Sequence, residues 1–134
     1  MTASFTSKLE LEYIDGHNWL LTAGFDYASD VEGLNEEGGI IHVPKDFITD
    51  FASIPRGLWN LFPPTGKYGK AAVIHDFLYR MTDYERDICD KVLLEGMEVL
   101  GVNWATRHIV YRAVRIFGGF ARQQANQAGE DKAE

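Results

Sequence analysis

The chain has 134 residues, a hydrophobic fraction of 46% and a formal net charge of -7. This length and apolar content predict one domain, which we place at residues 1–122 ahead of a flexible polar tail at residues 123–134, and they exclude a disordered chain. The acidic balance argues against nucleic acid as a partner, because its phosphates attract basic proteins. The N-terminus lacks a basic segment followed by an apolar one, and no apolar run could span a bilayer, so we expect a protein made in the cytoplasm without a signal peptide or transmembrane segment.

The N-terminal third alternates between apolar and polar residues, which is typical of half-buried strands. Asp15 and Gly16 predict a hairpin turn, and the acidic, glycine-containing residues 29–39 predict an exposed loop. We interpret the lone His42 as a structural histidine. The pattern predicts strands at residues 5–14, 19–27 and 39–43.

The apolar period becomes helical after residue 50. Ser53 predicts an N-cap, Thr82 and Glu85 predict a capping box, Gly101 predicts a C-cap, and Asn103 predicts another N-cap. We therefore expect an α+β fold, with a small N-terminal antiparallel sheet followed by three to four packed helices. The predicted helices are a short one after residue 53 and longer ones at about residues 68–81, 82–100 and 104–117.

The second predicted helix carries ionisable residues on a largely apolar surface. His75 and Tyr79 are four residues apart and share one face, with Asp76 beside them. Their burial is costly unless they bind each other, a metal or a charged partner. Antiparallel packing of the next helix would bring Asp90 to His75, fixing its tautomer and raising its basicity. Alternatively, Asp90 pairs with an arginine of the last helix, and the cluster only joins helices.

Asp50 lies three residues before the predicted N-cap, which is a common position for an aspartate that forms a turn. Alternatively, its carboxylate faces Asp76, and two carboxylates with backbone carbonyls suit calcium. The last helix contains arginines and no acidic residue, so we expect it to pack against the acidic third helix or to receive an anionic substrate. The solvent face of that third helix is predicted to comprise Asp87, Lys91, Glu95 and Glu98.

The sequence contains two notable runs of residues, T-D-x-A-S-I-P at 49–55 and A-x-x-x-H-D-x-L-Y at 71–79. Asp90 and Met97 follow them. This pattern resembles a family of small phage and prophage proteins of unassigned function. The likeness covers roughly residues 40–120, and members of that family usually have glycine where this chain has Phe51. The resemblance implies synthesis in the bacterial cytoplasm, association with a virion, and other phage proteins as partners, but no reaction.

His75-Asp76-x-x-Tyr79, followed on the next helix by Asp90, is also similar to the catalytic signature of secreted and parvoviral-capsid phospholipases A2. That resemblance implies that His75 is the base that activates water, that Asp90 orients His75, and that Tyr79 is a supporting hydrogen-bond donor. Asp76 would be a calcium ligand, joined here by Asp50, and calcium would neutralise the oxyanion. The glycine-rich calcium loop of those enzymes has no counterpart in this sequence, and neither do the disulfides of the secreted ones.

These observations lead to three hypotheses. The first is a phage-associated, calcium-dependent hydrolase of lipid or other esters, with bacterial envelope lipid as its partner. The second is a non-catalytic virion, tail or assembly protein in which the His/Asp/Tyr cluster is a buried structural network. The third is an inhibitor of host defence that binds through an exposed aromatic patch of Trp59, Phe62 and Tyr68.

Overall fold

The structure is a computed structural model, and it describes residues 3–5, 9–16, 18–34, 39–51, 56–58 and 69–117. The described strands form two three-stranded antiparallel sheets, one in the order β1-β4-β5 and the other in the order β2-β3-β6. The strands are β1 (Ser4–Phe5), β2 (Leu11–Asp15), β3 (Asn18–Leu21), β4 (Phe25–Ala28), β5 (Ile40–Val43) and β6 (Ile48–Thr49).

The helical part follows the strands, so the predicted α+β fold is confirmed. Helices α1 and α2 match their predicted positions within a few residues, and α3 begins at residue 104 as predicted and continues to residue 117, the last described residue. The described helical segments are a 3-10 turn at Arg56–Leu58, α1 (Gly69–Met81), α2 (Arg86–Val99) and α3 (residues 104–117).

The predicted second strand is divided between the two sheets. Residues 19–27 bend at residues 22 and 23, so that β3 lies in one sheet and β4 in the other. Gly24 permits this crossing, because a Cβ atom there would lie 2.9 Å from the carbonyl oxygen of Val43. A backbone contact between distant residues therefore divides a segment that alternation alone predicts to be continuous.

Sheet β1-β4-β5 buries one face against the helices. The cross-strand partners Asp26 and His42 form a pair on its outer face, so His42 is a surface residue with a structural partner. The side chains on the inner face alternate with them, as the period of a strand requires. The buried side chains of β4 and β5 are Phe25, Tyr27, Ile41 and Val43.

Helices α1 and α2 run antiparallel, because Ala71 lies opposite Gly96 while His75 lies opposite Asp90. A Cβ atom at Gly96 would lie 3.2 Å from the Cβ of Ala71. This small pair lets the two helices approach closely. Their polar groups can therefore bond directly across the interface.

The predicted capping box at the start of α2 was wrong. Thr82 donates its hydroxyl to the carbonyl oxygen of Leu78, 2.6 Å away, and so binds the last turn of α1 instead. Helix α2 begins only at Arg86, and the side chain of its N-cap, Glu85, makes no capping hydrogen bond. Thr82 lies four residues after Leu78, which is the spacing at which a threonine hydroxyl binds a carbonyl oxygen of the preceding helical turn.

The predicted signals at the other end of α2 are confirmed. Gly101 has φ +83°, and the amide of Val102 donates to the carbonyl of Met97 at 2.9 Å, as in a Schellman motif. Asn103 then accepts a hydrogen bond from the amide of Thr106 at 2.8 Å and caps α3. The two caps turn the chain sharply from α2 into α3.

Glu95 does not lie on a solvent face, which corrects the prediction from its helical position. It accepts hydrogen bonds from the Tyr27 hydroxyl (2.6 Å), the Ser29 hydroxyl (2.7 Å) and the Asp30 amide (3.0 Å). Burial, and then the bond to Glu95, raises the pKa of Tyr27 above its usual value. The end of β4 packs against α2, and Glu95 accepts the hydrogen bonds of the donor groups at and just after this end of the strand.

Several predictions lie outside the described residues. These are the Ser53 cap and the tail, together with the aromatic patch of Trp59, Phe62 and Tyr68. No helix within the described ranges is both long enough and apolar enough to cross a bilayer.

Candidate functional site

Helix α1 presents polar side chains in two directions. His75 and Tyr79 face α2, whereas Asp76 and Arg80 face β6. Each pair is spaced by four residues, so each forms a short polar stripe on an otherwise buried helix. Two polar clusters therefore lie side by side on one element.

The first cluster converges on Asp90. Its Oδ1 lies 2.7 Å from Nε2 of His75 and also accepts the hydroxyl proton of Tyr79. Its Oδ2 accepts a hydrogen bond from Nη1 of Arg115 on α3 at 2.9 Å. We call His75, Tyr79, Asp90 and Arg115 the Asp90 cluster. Both alternatives for Asp90 occur together, because it binds the histidine and an arginine of the last helix.

The partners of Asp90 keep its carboxylate ionised. Burial alone would raise the pKa of Asp90, but the hydrogen bonds from His75, Tyr79 and Arg115 outweigh burial and lower it. The bond to Asp90 raises the pKa of Arg115 in turn. Burial, then the bond to Asp90, raises the pKa of Tyr79, so its hydroxyl keeps the proton that it donates.

An ionised Asp90 fixes the tautomer of His75. Since the carboxylate can only accept, Nε2 of His75 carries the proton in their hydrogen bond. In the neutral ring, Nδ1 is then the basic nitrogen. This is the state in which a histidine acts as a general base.

The second cluster surrounds Asp76. Its Oδ2 accepts hydrogen bonds from the Thr49 hydroxyl at 2.6 Å and from Nη1 of Arg80 at 3.1 Å. Arg80 also donates to the carbonyl of Ile48 at 2.8 Å, which ties α1 to β6. We call Thr49, Asp76 and Arg80 the Asp76 cluster. It joins Asp76, the helix residue predicted to bind calcium, to β6, a strand that the sequence did not predict.

The other oxygen of Asp76 is an exception to the pairing of buried polar groups. Oδ1 is buried and has no hydrogen-bond partner among the residues that the structure describes. Burial raises the pKa of Asp76 above its usual value, and the nearby charge of Asp50 raises it further against the opposing effects of Arg80 and Thr49. An unsatisfied carboxylate oxygen next to a second carboxylate has the chemistry of a ligand for a hard cation.

The donor set for such a cation is small. Among the described residues, no group of three or more His, Cys, Asp or Glu side chains is arranged to hold a metal. Asp76 and Asp50 are thus the side chains that would hold calcium, and backbone oxygens would have to complete the coordination.

The predicted site residues are therefore near one another but differ in their surroundings. His75, Tyr79 and Asp90 form one bonded group, and Asp76 lies on the adjacent face with Asp50 close by. His75 and Asp90 are each 0% exposed. The roles of three further residues were not predicted individually, namely Thr49, Arg80 and Arg115.

The sequence contained partial signals for these residues. Arg80 lies four positions after Asp76, which is the spacing of a helical ion pair. Thr49 directly precedes Asp50 in the motif that carries the phage-family resemblance. Arg115 is one of several arginines on α3, and only the packing of α3 against α2 selects it.

Phe51 explains why glycine is expected at its position in that motif. Its φ is +57°, in the left-handed region that glycine adopts without strain. The phenyl ring is fully buried, so packing compensates here for an unfavourable backbone conformation.

Comparison with known proteins identifies one family. Residues 19–114 match the family model DUF1353, described as a protein of unknown function. That range contains the whole Asp76 cluster and every member of the Asp90 cluster except Arg115, which lies one residue beyond it. No curated protein and no solved structure matches the chain significantly.

Proposed function

We propose that this chain, which belongs to the DUF1353 family of proteins of unknown function, is a phage-associated, calcium-dependent hydrolase of lipid or other esters. One observation carries the proposal, namely the bond between Nε2 of His75 and Asp90, with Tyr79 on the same carboxylate oxygen. The phospholipase A2 resemblance implies this set of partners for a catalytic histidine. The three side chains that these roles require, those of His75, Asp90 and Tyr79, are bonded to one another, and this supports the proposal.

The residues support a simple hydrolysis. Nδ1 of His75 would take a proton from a water molecule as the water oxygen attacks the ester carbonyl. Asp90 would stabilise the imidazolium, and the proton would then pass to the leaving alkoxide as the ester C–O bond breaks. When bound at Asp76 and Asp50, calcium would supply the positive charge that stabilises the oxyanion. The unpartnered Oδ1 of Asp76 supports a cation at this position.

The biological setting of the proposal comes from the phage-family resemblance. A phage hydrolase would act on bacterial envelope lipid during entry or lysis. It would be made in the bacterial cytoplasm and carried with the virion or released at lysis.

A second candidate is favoured by the enclosure of the cluster. His75 and Asp90 are fully buried, as in a structural network that fixes the packing of α1, α2 and α3. In that case, the protein would be a non-catalytic component of a virion, tail or assembly complex. The two candidates predict opposite results for calcium binding and lipid turnover.

The test of metal binding is calorimetric titration of calcium into metal-stripped protein. Wild type should bind, Asp76→Asn should not, and Asp50→Asn should bind more weakly. Asp87→Asn serves as the matched control, because Asp87 is a partly exposed aspartate on α2 that faces Lys91 at 3.9 Å. Equal binding by all four proteins would contradict the assignment of the site.

The test of catalysis is hydrolysis of ester phospholipid vesicles by the same proteins and by His75→Ala and Asp90→Asn. Loss of the base should reduce turnover about 10²- to 10⁴-fold. Circular dichroism separates this effect from unfolding, because only folded variants are compared. If wild type shows neither binding nor turnover and His75→Ala and Asp90→Asn show only lower melting temperatures, the structural network is correct and the hydrolase is not.

A further inference from the structure

The outward face of α3 is apolar, although the solvent face of a surface helix normally carries charged residues. Ala105, Ile109, Arg112 and Ile116 are spaced by four, three and four residues, so they form one exposed stripe. Ile109 is 50% exposed and Ile116 is 73% exposed. Trp104, at the start of the helix, is 65% exposed.

The residues of this stripe do not belong to the buried core of the described part of the chain. The opposite side of α3 packs into the core through Val110 and Val114, which are both fully buried. Arg115 lies between these two faces and binds Asp90. The exposed isoleucines therefore remain as apolar surface after the helix has docked.

The charge around the stripe is opposite to that of the whole protein. The chain carries a net charge of -7, yet α3 (residues 104–117) contains three arginines and no aspartate or glutamate, and one of the three, Arg115, is paired with Asp90. Arg112 is exposed within the stripe itself, between Ile109 and Ile116. A helix that combines exposed apolar side chains with local positive charge is complementary to an anionic lipid surface.

We infer that α3 is the docking surface through which the protein binds an anionic phospholipid bilayer. The isoleucines and Trp104 would enter the interfacial region, while Arg112 would extend its guanidinium to lipid phosphates. A second copy of this chain is disfavoured as the occupant, because pairing α3 with itself brings two arginine-rich helices together without an acidic residue between them.

This surface also bears on the candidate site. Arg115 connects α3 directly to the carboxylate that holds His75, so the docking helix and the cluster form one packed unit. Together with the proposed function, on which this step rests, the docking surface makes phospholipid within an anionic bilayer the substrate class. Attachment to the bilayer is itself independent of catalysis.

The test is co-sedimentation with vesicles of ether-linked lipids in the presence of chelator, which excludes hydrolysis. The vesicles contain phosphatidylcholine alone or an equimolar mixture with phosphatidylglycerol. Wild type should bind the anionic vesicles at least about tenfold more tightly, and added salt should weaken this binding. Ile109→Glu with Ile116→Glu should reduce the affinity at least about tenfold.

The matched control is Ile14→Glu with Ile40→Glu, which makes the same charge change at isoleucines that are 45% and 44% exposed on the sheets. It should bind like wild type. If the α3 glutamate pair fails to fold, Ile109→Ser with Ile116→Ser replaces it.

Three results would overturn the inference. They are equal binding to both vesicle types, equal loss of binding in the control, and a wild-type dimer that the α3 substitutions convert to monomer without vesicles. Vesicle binding without turnover of ester lipids would contradict the proposed function alone. Turnover of a soluble ester without vesicle binding would contradict the docking surface alone.

Discussion

Asp90 connects the three described α-helices through a single carboxylate. It lies on α2, receives hydrogen bonds from two residues of α1, and receives another from α3. A buried carboxylate is tolerated only when its oxygens are bonded, and here both are. The same group therefore fixes the positions of the helices and the tautomer of His75.

Arg115→Ala tests how much the third helix contributes to this group. The guanidinium is partly exposed, so its removal should lower the free energy of unfolding by only about 1 kcal/mol. Because the pKa of Asp90 is lowered in the folded state, its contribution is present above its unfolded pKa and is lost as pH falls through its folded pKa.

Without Arg115 the folded pKa of Asp90 rises towards its unfolded pKa, so the loss of stability on acidification should be smaller and should end at a higher pH. Urea denaturation from neutral pH down to about pH 3 measures this shift. Arg112→Ala, on the exposed face of the same helix, is the control and should leave the acid limb unchanged. Identical pH profiles for both variants would show that Arg115 does not influence Asp90.

Glu95 anchors the first sheet to α2. Glu95→Ala would leave the Tyr27 hydroxyl, the Ser29 hydroxyl and the Asp30 amide without their acceptor. We expect a loss of about 2 kcal/mol in the free energy of unfolding, since buried donors would be left unsatisfied. Glu98→Ala, one turn away on the exposed side, should change it by less than about 0.5 kcal/mol. Equal effects in chemical denaturation would contradict the anchoring role.

Gly96 sets the separation of α1 and α2. Gly96→Ala improves helix propensity by about 1 kcal/mol, but the new Cβ would lie 3.2 Å from that of Ala71. Overpacking in a core costs about 1–3 kcal/mol, so we expect net destabilisation. Ala71→Gly in the same chain should recover part of the loss, and a double-mutant cycle measures the coupling. Simple additivity would show that the two residues do not compete for space.

At the level of elements, local signals predicted the helices better than the sheets. Gly101 and Asn103 each bind within their own turn, so their roles follow from the neighbouring sequence. Thr82 has the same chemistry as a helix cap, but its hydroxyl donates to Leu78 in the last turn of α1, and α2 begins only at Arg86. The division of residues 19–27 depends on a contact with β5, which alternation does not encode.

Prediction of the candidate site from the sequence was limited in the same way, by contacts between residues that are distant in the chain. The contact between His75 and Asp90 could be predicted, because helical periodicity and a short link define which faces of α1 and α2 meet. Arg115 could not be selected among the arginines of α3 without the angle at which that helix docks. Thr49 was missed because β6 pairs with β3 through a return of the chain that has no local signal.

Helix α1 lies between the two clusters and determines how the stability of the molecule depends on pH. Asp76 and Asp90 have pKa shifts in opposite directions, upward for the first and downward for the second. A group with a raised folded pKa contributes stability that is complete below its unfolded pKa and is lost as pH rises through its folded pKa. Ionised Asp76 therefore lowers the stability of the protein near neutral pH.

Asp76→Asn removes that penalty while retaining an acceptor for Thr49 and Arg80. In the presence of chelator, it should be more stable than wild type at neutral pH, because a neutral amide costs less to bury than a carboxylate, although its NH2 group then occupies the place of the unpartnered Oδ1. The advantage should shrink as pH falls towards the unfolded pKa of an aspartate. Urea denaturation across this range measures it, and a difference that is independent of pH would show that Asp76 does not titrate as described. Calcium should stabilise wild type by binding the folded state and should not stabilise Asp76→Asn, which links the buried carboxylate to its proposed ligand.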